Sequence, residues 1–159
     1  MSFPPPPSSV SVPPEPPLWA PLYGASIGAA FARFWKKYAT FSGRASRSEF
    51  WWWQLIWTTI TIVFEIVLVG VAARATVSSN TGAAVPGPAY FAVAAVLWVI
   101  SLGVLVPTLA LTWRRLHDIN RSGGYYFLGL IPLIGGIILL VFLASSSNPA
   151  GARFDQPRP

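Results

Sequence analysis

The chain has 159 residues, of which 53% are hydrophobic and only 10% charged, an apolar excess that a soluble domain of this size cannot bury. The net charge of +6 comes from eleven Lys and Arg against five Asp and Glu, and the basic residues cluster beside apolar stretches, where anionic lipid headgroups are nearer partners than nucleic acid. Cysteine is absent, which excludes a disulfide framework, a thiolate nucleophile and a Cys-based metal or iron–sulfur centre.

Residues 1–23 hold nine of the sixteen prolines and read as an extended, disordered cytoplasmic tail, either solvated or docked on an aromatic groove of a partner. No apolar stretch precedes this tail, so the first span is expected to direct insertion itself. Over residues 26–39, Ile27, Phe31, Phe34, Trp35 and Tyr38 recur at helical spacing, with Arg33, Lys36, Lys37 and Thr40 on the other face. That pattern predicts a basic amphipathic helix in the headgroup layer or, alternatively, a helix packed on the protein's own loop.

Ser46-Arg47-Ser48-Glu49 fits the S-x-x-E capping box and predicts the start of the first transmembrane helix, about 49–73. Trp51, Trp52, Trp53 and Trp57 form its interfacial aromatic belt. A Gly/Pro/Ser-rich loop precedes a second span, about 89–112, which Pro107 is expected to kink. The polar stretch 113–124 reads as a hairpin, and a third span is expected over 125–144, interrupted by Pro132 and Gly135-Gly136. Gly129 and these glycines offer a small-residue surface for intrachain packing or a homo-oligomer contact. Residues 146–159 read as a flexible tail.

The fold expected is therefore an all-α integral membrane protein, a small three-helix transmembrane bundle with an N-terminal interfacial amphipathic helix. Eight Lys or Arg flank the N-terminal region and the second loop, against three on the first loop and C-terminal tail. This bias predicts a cytoplasmic N-terminus and an external C-terminus. The Pro and paired Gly of the third segment would also suit a re-entrant hairpin that returns the tail inside.

Wound as helices, the first two spans each carry a polar stripe: Gln54, Thr58, Thr61 and Glu65 on one, Ser101, Thr108 and Thr112 on the other. The stripes are expected to face each other, away from hydrocarbon. Glu65 stands out, since a charge at that depth costs on the order of 2.5–3.5 kcal/mol on insertion scales. It is expected to be protonated and to donate to a Thr or Ser of the second span; a proton or ion relay, and a site reaching outer water, are the alternatives.

The remaining polar chemistry gathers in Arg114, Arg115, His117, Asp118 and Arg121. One His and one Asp make a poor metal site, and no nucleophile stands at a recognisable spacing, so no catalytic, metal or cofactor site is assigned. With Arg44 and Arg47 the arginines are expected to form a cytoplasmic collar for anionic headgroups or an acidic partner segment. The plainer alternative is a positive-inside anchor, with Asp118 capping a helix or pairing with Arg44 or Arg47.

The stretch from Tyr38 to Trp51, containing Phe41-Ser42-Gly43-Arg44 and Arg47-Ser48-Glu49-Phe50-Trp51, together with Val106-Pro107, Arg114-Arg115-Leu116-His117-Asp118, Ser122-Gly123 and Ile131-Pro132-Leu133-Ile134-Gly135, resembles the bacterial inner-membrane family catalogued as domain of unknown function 805. Gly151 to Asp155 follow its ending only in part. The resemblance covers about residues 33–155 and implies a small multi-pass bacterial inner-membrane protein with no settled activity to carry over. The function expected is non-enzymatic: a scaffold or assembly factor, with anionic lipid, a membrane-protein partner or a second copy as its partner. A small proton-linked transporter or channel subunit using Glu65 is the alternative.

Overall fold

The computed structural model describes residues 15–74, 76, 77, 82 and 84–155. The expectation for residues 1–14 lies outside that range. Four α-helices follow in order: α1 (Ile27–Lys36), α2 (Arg47–Ala72), α3 (Pro88–Asp118) and α4 (Ile134–Ala144). The 3-10 segments Gly123–Leu130 and Pro149–Phe154 flank α4. The fold is otherwise all-helical, apart from a two-residue antiparallel pairing of Thr76–Val77 with Ala84–Val85 between α2 and α3.

Local chemistry starts α2 where the sequence predicts. The Ser46 hydroxyl accepts from Glu49 N while the Glu49 carboxylate accepts from Ser46 N, a complete capping box. At ~1.5 Å per residue, the 26 residues of α2 and 31 of α3 extend about 39 and 46 Å, against a hydrocarbon core of about 30 Å. Both are long and apolar enough to cross a membrane.

The two long helices pack around Trp53, which lies between Phe34 of α1 and Trp57 one turn on. Phe50, Val104, Leu111, Leu116 and Leu143 complete the buried core. This core sits toward one end of the helix pair, the end formed by the start of α2 and the close of α3.

Four expectations need correction. The second long helix does not stop at Thr112: it continues through Trp113–Asp118, because Arg114–Asp118 are buried where α3 packs on α1, α4 and the C-terminal segment. The basic side chains Arg115 and His117 in its last turn also suit the helix's negative end. The third segment is not one span. It is a 3-10 segment, a tight turn in which Ile134 N donates to Pro132 O with Leu133 at φ +62°, and then an 11-residue helix only about 16 Å long. The two arms pack on each other as a hairpin.

The C-terminal segment is not a loose tail on the far side. Asn148 N donates to Asp118 O, and Arg44 Nη2 lies 2.7 Å from the Asp155 carboxylate. The described chain thus ends beside the loop that starts α2. Residues 15–23, expected to be disordered, are also held there, with Leu22 N donating to the Glu49 carboxylate at 3.0 Å.

Candidate functional site

Two buried charge clusters occupy this end of the molecule, and each is built around one acid. The first centres on Asp118 in the last turn of α3. Its Oδ2 accepts from Arg115 Nη1 at 2.6 Å and from the Ser147 hydroxyl, and its Oδ1 accepts from Tyr23 OH at 3.1 Å. Arg44 Nη1 stands 4.0 Å away, and its other nitrogens form a two-pronged contact with Asp155. Arg115 also donates to the carbonyls of Leu143 and Ser145, so it closes the end of α4 onto α3. Burial and the Asp118 carboxylate push the Tyr23 phenol up, while its bond to Asp155 holds Arg44 firmly charged.

His117 belongs to this cluster through its backbone neighbours. Its Nδ1 lies 3.1 Å from Gly43 O, which fixes Nδ1 as the protonated nitrogen, and its ring stacks on Phe154 at 4.1 Å. Gly43 has φ +79°, and a side chain there would meet Trp19 O at 2.5 Å. The backbone can therefore pass between Trp19 and His117 only as glycine.

The second cluster centres on Glu49. Its Oε2 accepts from the backbone of Leu22 and Ser46, and its Oε1 faces Arg33 Nη1 at 3.5 Å and Lys37 Nζ at 3.9 Å. Arg33, Lys37 and Glu49 are all buried. Arg114, also buried, donates from Nε to Ala110 O and lies within electrostatic reach of Glu49. Of the cations on the polar face of α1, Arg33 and the capping residue Lys37 thus turn inward, while Lys36 is exposed. Ile27, Phe31, Trp35 and Tyr38 remain exposed.

The expected collar is consequently split. Arg44, Arg115, His117 and Asp118 come together, but as internal partners, and Arg114 joins the other cluster. Arg47 and Arg121 are the exposed members. Arg47 borders a groove of about 360 Å³ with Ser48, Trp51, Trp52 and Leu55. The Arg121 guanidinium lies over the Tyr125 and Phe142 rings at 5.4 and 5.1 Å, beside a second groove of about 490 Å³ lined by Ser122, Tyr125, Phe127 and Leu128.

The polar stripes do not meet. Thr61, Ser101 and Thr112 return their hydroxyls to carbonyls of their own helices, at Trp57, Leu97 and Thr108, a local solution that removes the need for a partner. Thr108 does join the helices, but its partner is Trp53 Nε1 at 3.1 Å rather than a stripe residue. Gln54 is half-buried, while Thr58 and Glu65 are exposed on the outer flank of α2. Among the described residues Glu65 has no hydrogen bond or ion pair to α3, contrary to the expected donation.

Reasoning from sequence missed Arg33, Lys37, Tyr23, Ser147 and Asp155. A usable signal was present for Arg33 and Lys37, which stand four apart and so share one helix face, four residues being one turn.

Residues 38–156 match the family described as "Protein of unknown function (DUF805)". The chain is similar to inner membrane protein YhaI of Escherichia coli K12, with 31% identity over 119 residues, covering 75% of this chain and 86% of that one. It is also similar to inner membrane protein YhaH of the same organism, at 32% over 119 residues, 75% of this chain and 87% of the other. Uncharacterized protein YiiR matches at 32% over 92 residues, 58% of this chain and 50% of its own. No solved structure matches.

Proposed function

The chain belongs to this family of inner-membrane proteins of unknown function, and from that premise we propose that it is a non-enzymatic scaffold holding anionic lipid headgroups at Arg47 and Arg121. In this reading α2 and α3 cross the bilayer, the hairpin ending in α4 enters and leaves on one side, and both ends of the described chain lie at the cytoplasmic face, where the arginines concentrate. The exposed aromatic face of α1 lies along lipid while Arg33 and Lys37 turn to Glu49.

The observation that carries the proposal is the contrast within the collar. Arg115 and Arg44 are engaged internally, whereas Arg47 and Arg121 are exposed, each next to an apolar groove. A cation at the head of an aromatic and aliphatic wall matches a phosphodiester above its acyl chain. Each such contact contributes about 1 kcal/mol near an anionic surface.

The test is retention of phosphatidylglycerol by the purified chain in native mass spectrometry. Arg47→Ala with Arg121→Ala should reduce retention roughly ten- to thirtyfold, two contacts of about 1 kcal/mol each. Phosphatidylcholine retention should stay unchanged. Equal phosphatidylglycerol retention by wild type and double variant would sink the proposal.

A further inference from the structure

The cluster around Glu49 holds more positive charge than it neutralises. Arg33 and Lys37 face Glu49 at 3.5 and 3.9 Å and Arg114 lies within electrostatic reach of Glu49 and Lys37. The acids in contact with these cations are Glu49, which is buried, and Glu15, whose side chain is 59% exposed, while Asp155, also within electrostatic reach of Lys37, is committed to Arg44. Of Glu49's two oxygens, Oε2 is already committed to the amides of Leu22 and Ser46. Lys37 Nζ and Arg114 Nη2 are buried side-chain nitrogens with no hydrogen-bond partner among the described residues. Such groups are costly unless an acceptor meets them.

The contacts these two cations do make, Arg114 Nε to Ala110 O and Lys37 Nζ to Glu49 at 3.9 Å, leave Arg114 Nη2 and Lys37 Nζ without an acceptor among the described residues. Arg33 is saturated by Glu15, Ala20 O, Pro16 O and Glu49, whereas Lys37 approaches Glu49 only at 3.9 Å. The Glu15 carboxylate sits 3.1 Å from Arg33 Nε and, being largely in solvent, marks where an outside anionic oxygen can reach the cluster. A surface groove of about 540 Å³ lined by Glu15, Pro16, Ala29, Ala32, Arg33 and Lys36 borders the cluster at Arg33.

We propose that Lys37 and Arg114, with Arg33 beside Glu49, form an internal oxyanion site that takes a phosphate group, either a phospholipid headgroup or free phosphate. A tetrahedral oxyanion presents several acceptor oxygens, enough to satisfy an ammonium and a guanidinium at once. Two of the cations, Arg33 and Lys37, precede the residues matched to the family, 38–156. The site is therefore built partly by residues N-terminal to the matched range.

The test uses the purified full chain carrying Arg47→Ala and Arg121→Ala, so that lipid on the rim does not contribute and failure of the rim proposal leaves this one standing. The probes are inorganic phosphate, compared with sodium chloride at matched ionic strength in a thermal melt, and phosphatidylglycerol in native mass spectrometry. A rise in Tm of roughly 4 °C with phosphate assigns a free anion. Retained phosphatidylglycerol without a phosphate response assigns the headgroup. Whichever signal appears should fall at least fivefold in both Lys37→Met and Arg114→Gln and persist in Lys37→Arg. Absence of both signals, or a signal undiminished in the two variants, overturns the proposal.

Discussion

Arg114 and Arg115 are adjacent in sequence, yet they serve different clusters. Consecutive residues on a helix project about 100° apart, so Arg115 meets Asp118 while Arg114 donates to Ala110 O, within electrostatic reach of Glu49. Their membership of a basic motif was legible in the sequence, but their direction depended on which elements pack beside the end of α3. Asp118 is fully buried and pairs with Arg115, so Asp118→Ala leaves a buried cation uncompensated. It should cost about 3–5 kcal/mol of stability, read as a lower midpoint in thermal or denaturant unfolding. Lys37 gives a pH signature. Burial pushes its ammonium down to about 8 from the ordinary 10.5; Arg114 and Arg33 add to the fall, while Glu49 and Asp155 oppose it. The folded state then binds fewer protons than the unfolded chain across that window, so stability rises as pH climbs from about 8 to 10.5. In phosphate-free buffer the Tm advantage of Lys37→Met over wild type should be largest at pH 7 and shrink toward pH 10; an advantage independent of pH would contradict this account of Lys37.

At the scale of elements, legibility tracks how local the signal is. The start of α2 could be read because Ser46 and Glu49 are three residues apart and settle the cap between themselves. The end of α3 could not, because Leu116 and Asp118 stay helical in contact with distant residues, among them Leu143 and Ser147. The break in the third segment was visible as Pro132 and Gly135-Gly136, but their effect depends on packing. A Cβ on Gly135 would fall 1.8 Å from Leu128 O, whereas at Gly136 nothing lies within 4 Å. Gly135→Ala should therefore open the hairpin and lower Tm by several degrees. Gly136→Ala should leave the hairpin intact and add roughly 0.5–1 kcal/mol from helix propensity. Equal melting temperatures for the two variants would contradict the hairpin packing.

Over the whole molecule, one polar end is joined to two long apolar helices. Arg44 on Asp155, Asn148 on Asp118 and Leu22 on Glu49 bring the N-terminal arm, the turn before α2 and the C-terminal segment to that end. Long-range pairings of this kind leave no trace in local periodicity, which is why charge bias pointed to an external C-terminus and only Pro132 and Gly135-Gly136 offered the hairpin return as an alternative. Because the chain has no cysteine, single cysteines report sidedness without background. The most direct test is labelling of Ser42→Cys, Gly82→Cys and Ala150→Cys, all at exposed positions, by a membrane-impermeant maleimide added to intact cells whose outer membrane has been permeabilised. The account predicts that Gly82→Cys labels while Ser42→Cys and Ala150→Cys label only after lysis; labelling of Ala150→Cys together with Gly82→Cys in intact cells would contradict it.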